Sequence, residues 1–253
     1  MMQFLKKERK YNYIEVGDGF PVILLHGLMG GLSNFDGVTD FFSDKYKILI
    51  PELPIYTAPL SKTNIKYFAN YLHDFIAYKN LEQVILLGNS LGGHVGLYYT
   101  KLFSEKVKAL IITGSSGLYE NAMGGGYTKR RDYEVIKKKA QDVFYDPKVA
   151  TKEIVDEVYE TVNDRGKLAR TLAIAKSAIR HNMAKDLPNI KVPTCIIWGK
   201  NDNVTPPEVA EEFNALLYDS DLFWIDKCGH AAMMEHPEVF NKILYKWLQD
   251  RKL

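Results

Sequence analysis

Val84-Ile85-Leu86-Leu87-Gly88-Asn89-Ser90-Leu91-Gly92-Gly93 decides the reading of this chain. The run 84–87 is strand-sized and apolar on both faces, the pattern of a strand buried within a parallel sheet. From Leu91 to Lys101 the pattern is helical. Between the two, a serine stands flanked by glycines at 88 and 92. Strand, tight turn and helix in that order are the context of a nucleophile elbow, Gly-x-Ser-x-Gly. Such a turn strains the backbone at Ser90, and larger residues at 88 and 92 would clash. The gain is a serine Oγ held out at a helix N-terminus, where the dipole and free N–H groups favour developing negative charge. The bland alternative is a glycine-rich strand-to-helix turn with an idle serine, and the strand–turn–helix context argues against it.

Comparable runs lie on either side: Val22-Ile23-Leu24-Leu25-His26, Tyr46-Lys47-Ile48-Leu49-Ile50, Ala109-Leu110-Ile111-Ile112-Thr113, Thr194-Cys195-Ile196-Ile197-Trp198 and Leu222-Phe223-Trp224-Ile225-Asp226. Amphipathic segments separate them. Across 64–79, Ile65, Phe68, Leu72, Phe75 and Ile76 recur at helical spacing, with Lys66, Asn70, His73 and Asp74 off the stripe. Segments 207–217 and 237–250 read the same way, each with a proline near its first turn. The alternation predicts an α/β fold with a mostly parallel central sheet flanked by helices. It breaks once. From about 115 to 186 no strand pattern appears, while helical patterns cover 132–144, 151–162 and 165–181. We read 119–185 as an inserted helical lid and 1–118 with 186–253 as the core. Gly124-Gly125-Gly126 suits a hinge; it lacks the Lys-Ser/Thr of a phosphate loop.

Composition narrows the classes. The 253 residues hold 33 Lys+Arg and 31 Asp+Glu, for a net charge of +2, with 46% hydrophobic residues. That balance gives no one-signed surface for nucleic acid and too much apolar content for disorder. The apolar runs are too short to span a membrane. Lys129-Arg130-Arg131 and Lys137-Lys138-Lys139 make the lid locally basic; a solvated face is the plainer reading, attraction of an anionic substrate the functional one. Cys195 and Cys228 fall near opposite ends of neighbouring strands, roughly 13 Å apart at ~3.3 Å per residue. A disulfide needs about 7 Å or less, so both read as free thiols. Charges precede any apolar h-region at the N-terminus, so a cytoplasmic location is expected.

A serine hydroxyl needs a base, and the base an orienting acid. His230, in Asp226-Lys227-Cys228-Gly229-His230, follows the last strand, where parallel sheets assemble their sites. His73, His94, His181 and His236 are weaker candidates by position, on a helix face, one turn after Ser90, at the end of the insertion and at a helix start. Asp202, in Gly199-Lys200-Asn201-Asp202, is the preferred acid, and capping of the helix near Pro206 is its structural alternative. Asp226 is the rival acid. The tetrahedral oxyanion would be held by the backbone N–H of Leu91 and by one from His26-Gly27-Leu28-Met29-Gly30-Gly31, placed at Leu28 with Met29 as alternative. His26 reads as a structural residue orienting that loop. No His-Glu-x-x-His and no Cys-x-x-Cys occurs, and the reading calls for no metal and no cofactor.

Together these motifs resemble the α/β-hydrolase family over nearly the whole chain: His26-Gly27, the elbow at 88–92, Trp198-Gly199-x-x-Asp202 and Gly229-His230. The resemblance implies the order Ser90…Asp202…His230 and a lid insertion. Gly88-Asn89-Ser90-Leu91-Gly92-Gly93, Arg170-Thr171-Leu172 and Cys228-Gly229-His230 with Glu235-His236-Pro237 are similar to the carbon–carbon-bond hydrolases of aromatic degradation. That branch binds a substrate carboxylate through an arginine, for which Arg170 and Arg180 are candidates. The stretch Pro51-Glu52-Leu53-Pro54-Ile55-Tyr56-Thr57-Ala58 departs from the family's glycine-rich turn and alters the pocket floor. A serine at 90 argues against branches that use aspartate there. The expectation is a serine hydrolase of a small-molecule carbonyl substrate, first a small carboxylic ester. Carbon–carbon hydrolysis or a lyase reaction on the same fold is the alternative. A non-catalytic binding member is a further one, opposed by the intact set of residues. Met123, Met183, Met233 and Met234 read equally as pocket lining or core filler.

Overall fold

The computed structural model describes residues 5–119 and 129–253. An eight-stranded sheet runs in the order β1-β2-β4-β3-β5-β6-β7-β8. Its strands are β1 (Lys6–Glu8), β2 (Tyr11–Val16), β3 (Phe20–Leu25), β4 (Tyr46–Pro51), β5 (Val84–Asn89), β6 (Val107–Thr113), β7 (Thr194–Gly199) and β8 (Ser220–Ile225). From β4 to β8 across the sheet every pairing is parallel. β1 and β2 add an antiparallel edge. The aliphatic-run criterion misses this edge because β1 is fully exposed and β2 reads Tyr-Asn-Tyr-Ile-Glu-Val. Its Glu15 is gripped by Lys6, Lys47 and Lys79. Three lysines on one carboxylate blunt an edge that could otherwise pair with another chain.

From β3 to β7 both faces of the sheet are covered, which is why those strands are apolar on both sides. Along β5, Val84 and Leu86 point into one cluster and Ile85 and Leu87 into the other. The first cluster receives α2 (Ile65–Tyr78), α3 (Leu91–Leu102) and α7 (Pro207–Leu216), through residues such as Phe68, Leu72, Val95 and Phe213. The second receives α1 (Asp36–Phe42), the short α8 (Ala232–Glu235) and α9 (Pro237–Asp250), through Val38, Phe42, Met233, Phe240 and Trp247. Each fully buried Leu, Ile or Phe contributes roughly 1.5–3 kcal/mol relative to exposure. Helix limits follow local chemistry. Asn64 caps α2 by accepting from the Tyr67 N–H, and prolines begin α7 and α9.

Between β6 and β7 the described residues form helices and no strand. These are α4 (Tyr133–Gln141), α5 (Lys152–Asn163) and α6 (Arg165–Arg180), capped by the side chains of Asp132, Thr151 and Asp164. α4 packs on α5, α5 on α6, and α6 reaches back to α2. Gly124–Gly126 and Met123 lie outside the described residues. The basic cluster sits largely in solvent, with Lys138 paired to Asp142 and Lys137 to Glu134 along their own helix. Among the other methionines, Met183 and Met233 are core residues and Met234 packs against the core. Among the described residues no helix is long and apolar enough to cross a membrane.

Candidate active site

β3 leads on to β4 on one side while its neighbour β5 leads on to β6 on the other. That reversal opens a crevice at the carboxyl ends of the strands. Ser90 stands there, between β5 and α3, with φ +54° and ψ −119°. A non-glycine residue in that region costs on the order of 1–3 kcal/mol, held by its surroundings. The glycines explain how the turn closes. A Cβ on Gly92 would land on the Leu25 carbonyl, and one on Gly88 on the Gly93 nitrogen. The Ser90 N–H donates to the Thr113 carbonyl (3.0 Å), while the Ser90 carbonyl accepts from the N–H groups of His94 (3.2 Å) and Ser116 (3.3 Å).

His230 and Asp202 come together across the ends of β7 and β8, with Nδ1 and Oδ2 2.9 Å apart. The Asp202 side chain is wholly buried and that of His230 is 8% exposed. Every lone pair of the carboxylate is engaged. Oδ1 accepts from the N–H groups of Val204 (2.8 Å) and Thr205 (2.9 Å), and Oδ2 also accepts from the Thr205 hydroxyl (2.9 Å). The capping alternative does not hold: α7 has Pro206 as its N-cap and no side-chain cap, and Asp202 instead fixes its own loop with one oxygen while the other faces His230. Asp226, the rival acid, is 74% exposed and pairs with Lys200 at 3.5 Å.

The loop after β3 reaches Ser90 because Leu25 is in register with Gly88. A Cβ on Gly27 would stand 3.2 Å from the Ser90 Cβ. Leu28 therefore begins directly beside the serine, and Leu91 opens α3 on its other side. The first N–H groups of a helix have no acceptor within it. Met29 takes φ +61° as the loop turns away. His26 is buried, its Nδ1 3.0 Å from the Gly27 carbonyl and its Nε2 accepting from the Leu53 N–H (2.9 Å). Burial lowers its pKa, so it stays neutral and ties the β3 loop to the β4 loop.

Several supports escaped the sequence reading. The Asn89 amide donates to the carbonyls of Thr113 (3.1 Å) and His230 (3.2 Å), joining the elbow to the histidine loop. Glu235 accepts from the N–H groups of Gly229 and Asp146, each at 2.6 Å. The His230 N–H donates to the Val143 carbonyl (2.9 Å), so the segment following α4 also holds that loop. Asn89 and Glu235 are in motifs already quoted, but nothing local to them reveals that Asn89 reaches His230, 141 positions on, or that Glu235 reaches Asp146, 89 positions back.

The remaining candidates lie elsewhere. His94 is fully buried with Nε2 2.9 Å from the His181 Nδ1, an arrangement that position in α3 alone does not disclose. His73 is not a simple polar-face residue, since its ring stacks on Phe103 at 4.0 Å. His236 bonds the Lys227 carbonyl. Arg170 is occupied by the carbonyls of Ala58 (2.9 Å) and Gly166 (3.0 Å), and Arg180 lies exposed at the end of α6. Cys195 and Cys228 are buried free thiols. Burial pushes both pKa values up, so neither presents a thiolate beside Ser90.

A switch-point crevice, a strained serine on a strand-to-helix turn and a buried His–Asp pair are the marks of an α/β hydrolase. The family model described as alpha/beta hydrolase fold matches residues 21–152 and 160–237, and the chain belongs to that family. It is similar to an alpha/beta hydrolase enzyme from the metagenome of sediments from the lagoon of Mar Chica, Morocco. Identity there is 60%, the TM-score 0.83, and the match covers 99% of this chain and 100% of that one. It is also 30% identical, over 94% of this chain and 87% of the other, to the 2-hydroxy-6-oxo-6-(2'-aminophenyl)hexa-2,4-dienoic acid hydrolase of Metapseudomonas resinovorans. A serine hydrolase involved in carbazole degradation matches at 27% identity and TM-score 0.82, over 94% of each chain.

Proposed function

We propose that the protein is a serine hydrolase in which Ser90, His230 and Asp202 form the catalytic triad. The 2.9 Å approach of His230 Nδ1 to Asp202 Oδ2 at the mouth of the strained Ser90 turn carries this reading. Ser90 Oγ attacks a substrate carbonyl as His230 takes its proton. Asp202 holds the imidazole with its proton on Nδ1 and stabilises the imidazolium that forms. The N–H groups of Leu28 and Leu91 receive the oxyanion. Protonated His230 returns the proton to the leaving group, and a water activated by the same residue then releases the acyl group. The segment 119–185, helical in its described part, acts as a lid that excludes bulk water and shapes the pocket.

For the bond broken, the relatives favour carbon–carbon cleavage. The Metapseudomonas resinovorans protein is a 2-hydroxy-6-oxo-dienoic acid hydrolase, and a Pseudomonas sp. relative at 26% identity is a 2-hydroxy-6-oxononadienedioate hydrolase. A carbon leaving group departs only when its electron pair is delocalised, which a second carbonyl conjugated to it supplies. Hydrolysis of a small carboxylic ester is the second reading. One observation favours it: Arg170 is spent on backbone carbonyls and Arg180 faces solvent, so neither is set to receive a substrate carboxylate. Product analysis on parallel panels of 2-hydroxy-6-oxo-dienoic acids and short esters separates the two. Turnover of the dienoic acids at higher kcat/KM supports carbon–carbon cleavage, and turnover of esters alone overturns it. A fluorophosphonate probe should label the wild type and spare Ser90→Ala; equal labelling would remove Ser90 from the mechanism.

A further inference from the structure

Outside the reacting groups, the loop that carries His230 is held through its backbone from two sides. Lys227 takes φ +50° as the chain leaves β8. Its carbonyl meets His236 Nε2 at 2.8 Å, and the Cys228 carbonyl accepts from the Asn201 N–H at 2.9 Å. Gly229 is pressed between two stretches of main chain. A Cβ there would stand 2.5 Å from the Val143 carbonyl oxygen and 2.8 Å from the Phe144 Cα, while one on Gly199 would land on the Gly229 carbonyl. The loop and residues 143–145, which follow α4, therefore meet backbone to backbone. Glu235, the half-buried last residue of α8, closes this contact. Its Oε2 accepts from the Gly229 N–H and its Oε1 from the Asp146 N–H, both at 2.6 Å, one from each side of the junction.

We propose that Glu235 is a positioning residue for His230: its carboxylate clamps the histidine loop to the lid segment that follows α4, so that the lid and Asp202 together set where the imidazole stands. Its part in a reaction rests on the triad reading. An ionised carboxylate offers acceptors on both oxygens and no donor, which is what two facing N–H groups require, and bonds to it are about twice as strong as neutral ones. The isosteric amide offers one acceptor and one donor, so one of the two N–H groups would face an NH2. Gly229 directly precedes His230, whose Nδ1 stands 2.9 Å from Asp202 Oδ2. A loop released on one side carries the imidazole away from Asp202 and Ser90 together. Glu235 acts on the backbone of the loop and not on substrate, so the loss falls on proton transfer: kcat drops while KM holds.

The test compares Glu235→Gln with wild type and with Asp132→Ala. Asp132 caps α4 by accepting from the N–H groups of Glu134 and Val135, so its removal loosens the same arm of the lid and leaves both Glu235 bonds in place. Glu235→Gln should lower kcat by about ten- to a hundredfold, the scale of a sub-ångström to ångström misplacement, with KM within about twofold. Fluorophosphonate labelling of Ser90 should slow by a similar factor, because it draws on the same base. Asp132→Ala should lose a few degrees of Tm and keep kcat within about twofold. Nitrogen NMR shifts of the His230 ring, assigned by their loss in His230→Gln, report without turnover which ring nitrogen bears the proton. Wild type should show the proton on Nδ1, and Glu235→Gln a mixture of tautomers. Should Glu235→Gln fail to fold, Glu235→Asp, which keeps the charge and shortens the reach by one methylene, carries the same comparison. Unchanged kcat with unchanged ring shifts overturns the clamp, and so does an equal fall of kcat in Asp132→Ala, which would make the effect a general loosening of the lid. Mixed tautomers in Glu235→Gln beside a wild type that escapes fluorophosphonate labelling would refute the Ser90 reading and leave the clamp standing; unchanged ring shifts beside a labelled wild type refute the clamp alone.

Discussion

Asp202→Asn isolates a single proton. In the native site, Oδ1 is fixed by two backbone donors, the N–H groups of Val204 and Thr205, so the amide oxygen must occupy that position. Its NH2 then falls where Oδ2 stood, facing the Thr205 hydroxyl and His230 Nδ1. The hydroxyl can rotate to accept. The imidazole can accept only by shifting its proton from Nδ1 to Nε2, and an Nε2 that bears a proton cannot take one from Ser90. The loop geometry survives because each contact has a partner, so the cost to stability is modest, about 1–2 kcal/mol for the lost charge assistance. The cost to catalysis is far larger. The wrong tautomer should lower kcat by about 10³–10⁴, or ~4–5.5 kcal/mol of transition-state stabilisation. Steady-state kcat on the best panel substrate measures it, with Tm as the control for folding. Asp226→Asn, at an exposed carboxylate, should stay within twofold of wild type. Retention of more than about a tenth of wild-type kcat in Asp202→Asn would refute the tautomer argument. So would collapse in Asp226→Asn instead.

Other expectations follow from packing and burial. Gly92→Ala places a Cβ on the Leu25 carbonyl, backbone against backbone, and should cost at least about 3 kcal/mol, whereas Gly31→Ala meets nothing nearer than the Ser33 hydroxyl at 3.7 Å. Urea unfolding checks both, and a Gly92→Ala protein as stable as Gly31→Ala would contradict the close approach. Burial and the nearby His181 lower the His94 pKa from 6.5 to about 3. The unfolded chain therefore takes up a proton near pH 6.5 that the folded chain refuses. Stability is full above pH 6.5 and falls on acidification toward pH 3, by up to about 1.4 kcal/mol per pH unit from this group. His94→Asn should flatten that fall by about 1–2 kcal/mol between pH 6.5 and 5 in urea titrations, and an unchanged slope would rule out His94 as its source.

Much of the candidate site is legible in the sequence because its signals are local. The glycines at 88 and 92 surround a residue whose conformation only a tight turn can produce. Asp202 follows the buried apolar strand β7 and His230 the half-buried strand β8, and in a parallel sheet that position is at the carboxyl edge by construction. The runs behind β3 to β7 were equally plain, since both sides of each strand are covered, and β8 kept an apolar run although it lies half-buried at the other edge. The edge strands β1 and β2 were not. One face there meets solvent, and tyrosines and charges replace the aliphatic run.

The sequence by itself determined the strand–turn–helix at Ser90, the helices that prolines and Asn64 begin, and the α/β alternation. Periodicity, capping and glycine sterics act within a few residues and need no partner. Only the tertiary structure decided that Asp202 and not Asp226 meets His230, that Asn89 ties the elbow to the His230 loop, and that His94 pairs with His181. Those contacts join residues 28 to 141 positions apart. Their existence depends on the order in which strands assemble and on how α6 lies over the crevice. No local pattern records either, because the energy that fixes them is burial shared across the whole sheet.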